Sequence, residues 1–263
     1  MTNFIFMNKN KFLTMASALV AVACNTAIET PVQYGELSVS LAGEPQVEVI
    51  SKADAASEGV SNYTVRIFNE SDVKKYESVY NAFETQVLPL GTYYVTAESC
   101  SAEAAEEGYG KMRLYGRSAD MTLTASALSQ TAEVECTVAN ALVTVRFDES
   151  VSGRFSDLKV VVSGGTTQNR TFTVNETAPD VDTEIWFNPS NMTYSISGIF
   201  DPEGMNKVIN LPEKAIALAA KNNVVLRVSV NLDNGQLLVP TITVNTAMDE
   251  PVEETGGTIN PYE

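Results

Sequence analysis

The sequence predicts an all-β protein with two tandem antiparallel β-sandwich domains behind a cleaved lipoprotein signal peptide. Three observations predict this. Short segments alternate apolar and polar side chains along most of the chain, turn-forming residues separate these segments, and an apolar run near the N-terminus ends at a cysteine. Period-two alternation is typical of strands with one buried face. Many short strands with turn signals between them indicate antiparallel β-sandwiches.

The N-terminal stretch LTMASALVAVAC (13–24) predicts an export signal, because a basic start precedes it and small residues end it. The run is shorter than the roughly 20 apolar residues that a membrane span needs. Its last four residues, Ala21-Val22-Ala23-Cys24, resemble the bacterial lipobox, although leucine is preferred where Ala21 stands. We therefore expect a signal peptide at 1–23 and a lipidated leader at 24–33, with acyl chains on Cys24. An ordinary cleaved signal and a buried helix are the alternatives.

Charge and composition exclude several functions. Loss of residues 1–23 leaves 15 basic and 33 acidic side chains, a net charge of −18. This balance argues against a nucleic-acid partner, whose phosphates need a basic surface. The chain has no histidine, which removes Ser-His-Asp catalysis and every histidine metal site. We expect no catalytic residues, no metal, no cofactor and no enzymatic activity.

The alternating segments divide the remainder into an N-terminal β-sandwich at 34–139, a C-terminal β-sandwich at 140–246 and an acidic, flexible tail at 247–263. CTVANALVTVRF (136–147) is interpreted as two strands joined at Asn140, with one long bent strand as the alternative. Asp233-Asn234-Gly235 predicts a hairpin turn, since Asn-Gly supplies positive φ angles. The predicted strands are 36–42, 62–68, 91–99, 120–125, 132–139, 141–148, 157–164, 170–175, 193–200, 223–232 and 236–245. Segments 71–80 and 212–222 fit either a short helix or a strand.

Two cysteines in the body, Cys100 and Cys136, could pair, since an exported protein meets oxidising conditions. Strand parity opposes the bond. It places Cys136 on the buried face with Val134 and Val138, and Cys100 on the outer face with Glu98. We expect a buried free thiol at Cys136, with the disulfide as the alternative.

Two acidic stretches and one tryptophan are the remaining site candidates. SAEAAEEG (101–108) and MDEPVEE (248–254) lack the alternating oxygen donors of a calcium loop, so solvated charge is the favoured interpretation. Trp186, the only tryptophan, is a candidate ligand contact because an exposed indole could stack on a sugar ring. The favoured interpretation is nevertheless that Trp186 is buried in the core of the C-terminal domain.

Several motifs together resemble one family. YGELSVSL (34–41), YTVRIFN (63–69), LPLGTYYVTAES (88–99), YGKMRLYG (109–116) and VECTVANALVTVRFDE (134–149) occur in the order seen in a Bacteroidetes surface lipoprotein family of uncharacterised function. The chain is also similar to the fimbrillins, which build pili from transthyretin-like, immunoglobulin-related β-sandwiches. This resemblance implies a surface or pilus-associated role and no catalytic residues. The leader lacks an obvious arginine or lysine processing site, which favours an anchored accessory protein or adhesin over a polymerising subunit.

The sequence thus predicts a non-enzymatic protein anchored in the outer membrane by acyl chains on Cys24 and exposed on the cell surface. Its role would be structural or adhesive, with pilus association as one form of it. Protein partners would bind by strand addition at an unpaired sheet edge. The alternative is a glycan-binding surface lipoprotein of a nutrient-uptake system.

Overall fold

The computed structural model describes residues 31–42, 60–166, 170–176, 182–201, 204, 206–229, 237–238, 241–245, 252–255 and 258–259. Cys24, the signal sequence and the predicted turn at 233–235 lie outside these residues. The described strands all belong to one compact unit, Gln33–Glu263. No helix in the described part of the chain is long and apolar enough to cross a membrane.

The N-terminal half of this unit contains two sheets. Sheet A has the strand order β4-β1-β8, and sheet B has the order β3-β2-β5-β6-β9, with β7 also paired to β5. The strands are β1 Tyr34–Ala42, β2 Thr64–Asn69, β3 Lys74–Val79, β4 Gln86–Pro89, β5 Gly91–Glu98, β6 Leu114–Arg117, β7 Met121–Leu123, β8 Ser129–Glu135 and β9 Thr137–Val138. A helix, α1 (Ala102–Ala105), and two 3₁₀ turns, Val60–Asn62 and Tyr80–Ala82, lie between them.

The C-terminal half also contains two main sheets. Sheet C has the order β13-β10-β16-β18-β19, sheet D has the order β12-β11-β14-β15, and β17 pairs with β20. The strands are β10 Ala141–Phe147, β11 Phe155–Gly164, β12 Arg170–Asn175, β13 Thr183–Phe187, β14 Asn191–Phe200, β15 Lys207–Ala217, β16 Asn223–Val228, β17 Leu237–Leu238, β18 Thr241–Asn245, β19 Val252–Thr255 and β20 Thr258–Ile259. A 3₁₀ turn spans Glu149–Val151.

Each pair of sheets encloses its own apolar cluster. Leu37 of sheet A and Val95 of sheet B belong to the first cluster, and Val145 of sheet C and Val160 of sheet D belong to the second. All four side chains are fully buried. Burial of apolar area on this scale is the main term that stabilises the fold. The prediction of an all-β protein built from sandwiched sheets is therefore confirmed. The boundary predicted between residues 139 and 140 stays a prediction.

The strand pairing differs from the prediction in one respect. β1 pairs with β8 in parallel, and β10 pairs with β16 in parallel, whereas all other named pairs are antiparallel. Parallel neighbours need a long crossover connection. Here the connections from β1 to β8 and from β10 to β16 include strands of both sheets of each half, and the parallel pairs make sheets A and C mixed.

The segments left open as helix or strand are mostly strand. Segment 71–80 forms β3, and 212–222 begins inside β15. CTVANALVTVRF forms two strands, β9 and β10, as interpreted from the sequence. The break falls at Asn140, whose buried side chain donates to Lys111 O and accepts from Arg113 N, at 2.7 and 3.1 Å. These two bonds satisfy the buried amide, so the strand ends there.

The tail at 247–263, predicted to be flexible, contains two short strands. β19 pairs with β18, and β20 pairs with β17, so the backbone of residues 252–255 and 258–259 belongs to sheets. The physical reason is that β18 would otherwise leave one row of backbone donors and acceptors without partners. Acidic composition therefore did not prevent strand formation here.

Candidate functional site

A shallow groove lies on the outer face of sheet B. Alternation along β2, β5 and β6 sends Val65, Val95 and Leu114 inward and leaves the intervening side chains on the outer face. The groove encloses about 380 Å³, within the range of small-molecule sites, roughly 300–1,000 Å³. Its lining includes Arg66, Tyr94, Thr96, Glu98, Arg113 and Tyr115.

Strand register brings these side chains together. Arg66 of β2 lies opposite Thr96 of β5, and Glu98 of β5 lies opposite Tyr115 of β6. Side chains directly opposite one another on a sheet face are close enough to interact. The groove therefore combines strand residues that are 17 to 49 positions apart in the sequence, and it depends on the pairing of all three strands.

Glu98 is the buried polar centre of the groove, with a side chain 7% exposed. Arg66 Nη1 donates to Glu98 Oε1, and Arg113 Nε and Nη2 donate to Glu98 Oε2 at 3.2 and 2.8 Å. Arg66 Nε also donates to Glu77 Oε2 at 2.6 Å. Burial lowers the pKa of Arg66, but the hydrogen bonds to Glu98 and Glu77 outweigh it and raise that pKa overall. The Arg66 guanidinium therefore stays charged, and Glu98 holds both guanidinium groups in place.

Aromatic rings border this polar centre. Phe68 and Tyr94 stack with ring centroids 5.2 Å apart, and the Arg117 guanidinium lies 3.9 Å above the Tyr94 ring. Tyr94 Oη donates to Asp72 Oδ1 at 2.7 Å, and this bond raises the pKa of Tyr94. Tyr94 is therefore already engaged by two neighbouring side chains. The Tyr115 ring has Arg113 at 5.0 Å from its centroid.

Trp186, the residue that the sequence suggested as a ligand contact, lies elsewhere. Its side chain is buried, with 7% exposed, so it presents no open face in this structure. The expectation that it packs in the C-terminal core is wrong in detail. Trp186 and its cross-strand neighbour Leu142 belong to the N-terminal apolar cluster, whereas Ile185 and Phe187 belong to the C-terminal one. This end of sheet C is covered on both faces, which a single strand sequence does not reveal.

A buried polar cluster surrounds the backbone of Trp186. Arg170 donates to Glu106 O, Gly108 O and Trp186 O at 2.5, 2.9 and 2.5 Å. Glu106 accepts a hydrogen bond from Asn188 N at 2.8 Å. Burial lowers the pKa of Arg170, and the charge of Glu106 opposes that change. These contacts join the segment after α1 to β12 and β13.

The acidic stretch 101–108 is therefore not simply solvated charge. Ser101 Oγ caps α1 by accepting from Ala104 N at 3.1 Å, and Glu106 is buried. The prediction of solvated carboxylates is wrong for Glu106, because its carboxylate satisfies the backbone N–H of Asn188 instead of water. No group of three or more potential metal-ligating side chains occurs in the described residues.

The two body cysteines are both free. Cys136 is buried, as predicted, and burial raises its pKa to about 11. Its Sγ donates to Ala97 O at 3.6 Å. Cys100 is partly exposed. Cys100 and Cys136 therefore form no disulfide with each other.

The sheets and the groove define a two-layer β-sandwich protein with a polar, aromatic-lined surface site. The chain belongs to the family described as a domain of unknown function, DUF4493, whose family model matches residues 33–260. This match confirms the expected membership of a family with no characterised function. No curated protein matches the sequence.

Solved structures with similar folds include three fimbrial proteins. The fimbrial anchor protein Mfa2 from Porphyromonas gingivalis is 10% identical, with a TM-score of 0.46, over 84% of this chain and 100% of that one. A fimbrial assembly protein from Parabacteroides distasonis is 11% identical, with a TM-score of 0.40, over 85% and 100%. The tip fimbrial protein Mfa3 from Porphyromonas gingivalis is 9% identical, with a TM-score of 0.38, over 75% and 94%.

Proposed function

We propose that this protein is a non-enzymatic lipoprotein, anchored in the outer membrane through Cys24, with a structural or adhesive role at the cell surface. The observation that carries the proposal is the position of β1. This strand follows the predicted lipidated leader directly, and it is hydrogen-bonded on both sides, to β4 and to β8.

The position of β1 suits an anchored protein mechanically. The ten leader residues 24–33 extend at most about 36 Å. A pulling force applied at Cys24 would therefore reach β1, which is held by one ladder to β4 at residues 34–37 and by another to β8 at residues 36–42. An edge strand in the same position would expose only one ladder. Several acyl chains on Cys24 would resist extraction, because each buried CH₂ contributes about 0.8 kcal/mol.

The outer edge of β8 supports contact with a protein partner by strand addition. No described strand pairs with this edge, and β8 contains neither lysine nor proline along its seven residues. Other edges carry protection against added strands. β3 begins with Lys74 and Lys75, and β15 contains Pro212. The edge of β8 is therefore the more accessible one for a partner strand.

The arrangement around Glu98 supports a non-enzymatic role. Both carboxylate oxygens of Glu98 already accept hydrogen bonds from guanidinium groups. The lining of the groove contains neither histidine nor cysteine. A general acid or base needs a proton position that is free to reach substrate, and Glu98 offers none.

Metabolic labelling in the native bacterium tests the anchor. An alkynyl fatty acid should label the wild-type protein, and intact mass should give a chain that begins at acylated Cys24. Cys24→Ala should abolish both results and release the protein from the membrane fraction. An unlabelled wild-type chain, or a chain that begins at another residue, would contradict the anchor.

Lysine substitutions test the role of the β8 edge. Thr131→Lys adds a charge to β8, and Thr122→Lys on β7 is the matched control, because each threonine is exposed and contacts one hydroxyl on a neighbouring strand. Thr131→Lys should reduce cell adherence, or recovery in sheared surface appendages, at unchanged surface abundance. Equal behaviour of the two variants would reject strand addition at this edge.

A further inference from the structure

We propose that the groove on the outer face of sheet B binds a neutral carbohydrate. A sugar ring would stack on Tyr115, and its hydroxyl groups would accept hydrogen bonds from Arg66 and Arg113. This inference goes beyond the proposed structural or adhesive role and depends on neither the acyl anchor nor the β8 edge. It also places the ligand far from the sequence-based candidate, because Trp186 does not line the groove.

The Tyr115 ring is suitable for stacking. It is partly exposed, it lines the groove, and the Arg113 guanidinium lies 5.0 Å from its centroid. Tyr94, in contrast, already contacts both the Phe68 ring and the Arg117 guanidinium. A partly exposed aromatic ring in a groove can pack against the C–H face of a pyranose.

The polar centre of the groove supplies fixed hydrogen-bond donors. A guanidinium group carries five N–H donors. Arg66 uses Nε and Nη1 on Glu77 and Glu98, and Arg113 uses Nε and Nη2 on Glu98 and Cys100 O. Arg66 Nη2 and Arg113 Nη1 therefore have no acceptor among the described residues. Because Glu98 holds both side chains in place, these donors are preorganised, which lowers the entropic cost of binding.

Charge favours a neutral ligand. The whole chain has a net charge of −16, so its surface repels polyanions such as acidic polysaccharides. Within the groove, the charges of Arg66 and Arg113 are offset by Glu98 and by Glu103, which also lines it. An apolar peptide would bury the free N–H donors of Arg66 and Arg113 without accepting hydrogen bonds from them, and this raises the free energy of the complex. A neutral sugar offers hydroxyl acceptors for the free donors and an apolar face for the ring.

Affinity electrophoresis of the purified full chain tests the proposal. Native gels would contain a neutral polysaccharide (galactomannan, xyloglucan or glycogen) or the anionic polygalacturonate. We expect retardation by at least one neutral polymer and none by polygalacturonate. Tyr115→Ala should weaken the retardation about tenfold or more, equivalent to 1.4 kcal/mol. Tyr115→Phe should largely retain it, because the ring remains.

Two controls separate binding from folding. Tyr34→Ala removes an exposed tyrosine outside the groove and should bind like wild type. Arg66→Lys keeps the positive charge but loses the fixed donor fork, so it should weaken retardation even if Tyr115→Ala unfolds, with circular dichroism showing that the lysine variant is folded. Failure of all three neutral polymers to retard the wild-type chain, or equal retardation of wild type, Tyr115→Ala and Arg66→Lys, would overturn the proposal. If Tyr115→Ala reduced self-association of the protein but did not change its retardation by any polysaccharide, the groove would be a contact site for a second copy of the chain and not a carbohydrate site.

Discussion

Arg113 donates two hydrogen bonds to a single oxygen of Glu98, from Nε at 3.2 Å and from Nη2 at 2.8 Å. Arg66 contacts the other carboxylate oxygen from the neighbouring strand on the opposite side. One buried carboxylate therefore cross-links side chains from β2 and from the segment that leads into β6. Charge-assisted hydrogen bonds of this kind are stronger than neutral ones, and loss of one partner leaves the others buried without compensation.

Glu98→Gln should destabilise the protein by roughly 1–3 kcal/mol, because the amide keeps the shape of the carboxylate but not its charge. Urea unfolding followed by circular dichroism measures this change. Glu77→Gln is the control, since the side chain of Glu77 is 40% exposed and makes a surface ion pair with Arg66. Such pairs contribute about 0–1 kcal/mol. Equal losses for both variants would show that Glu98 is no more than a surface partner.

Arg170→Lys should also destabilise the fold, by about 2 kcal/mol. A lysine keeps the positive charge but lacks the planar fork that reaches Glu106 O, Gly108 O and Trp186 O. The matched control is Arg227→Lys, at an exposed position on β16. Thermal unfolding compares the two variants. A melting temperature for Arg170→Lys equal to that of the control would contradict a structural role for the fork.

We expect the folded protein to lose stability at alkaline pH because of the buried thiol of Cys136. Burial raises its pKa from the usual 9.0 to about 11, so between these pH values the unfolded chain releases a proton that the folded chain keeps. The unfolded state then binds fewer protons, and stability falls as pH rises through this window. The urea midpoint of wild type should fall more between pH 9 and 11 than that of Cys136→Ala. A parallel decline in both would refute the assignment.

Thiol labelling gives a second measurement of Cys136. In a Cys24→Ser chain at pH 8, Ellman's reagent should modify Cys100 rapidly and Cys136 only after urea is added, because the thiolate is the reactive form. The control is Cys100→Ala, which should show almost no rapid reaction. Rapid modification of two thiols in the native Cys24→Ser chain would mean that Cys136 is accessible.

Gly116→Ala should destabilise the contact between β6 and β8. A Cβ at this position would clash with the carbonyl oxygen of Glu135 and lie 2.8 Å from Val134 Cγ1. Overpacking of this kind costs roughly 1–3 kcal/mol. Gly153→Ala is the comparison. Its Cβ would meet nothing within 4 Å, so only the strain of a φ of +67° remains. Urea midpoints should fall further for Gly116→Ala, and a reversed order would disprove the close approach.

Pro212→Val should increase self-association through the edge of β15. Pro212 and Glu213 together face Ser195 of β14, because the register shifts between Tyr194 and Ile196. Proline and a bulge both discourage strand addition at an edge. Valine restores an N–H donor and favours a regular strand. Sedimentation velocity should detect larger species with Pro212→Val and none with Pro189→Val, a change at an exposed bend. Monomers in both variants would contradict a protective role.

The central strands were predictable from sequence because a strand with one buried face alternates apolar and polar side chains. β11 and β14 alternate buried and more exposed residues along most of their length, and both were expected. The edge strands β3 and β15 lack this pattern, since most of their residues are exposed. A strand that buries little carries little period-two signal, so both segments were left open between helix and strand.

The candidate groove was not predictable, although its strands were. Arg66 was recognised as an outward-facing residue of one strand, and Glu98 as an outward-facing residue of another. Their contact depends on which strands are neighbours and in what register, and alternation within a strand does not encode either. Trp186 illustrates the same limit. Its burial could be anticipated, but its position in the N-terminal apolar cluster depends on what covers the second face of sheet C.

The β-rich class, most of the core strands, the buried free thiol of Cys136 and the break at Asn140 could be predicted from the sequence, whereas β13 could not. These features follow from local alternation and residue chemistry. Three features could be seen only in the folded structure. They are the parallel pairing of β1 with β8 and of β10 with β16, the hydrogen bonds from Arg66 and Arg113 to Glu98, and the burial of Glu106. These features depend on long-range pairing, whose energy comes from side chains that are distant in the chain.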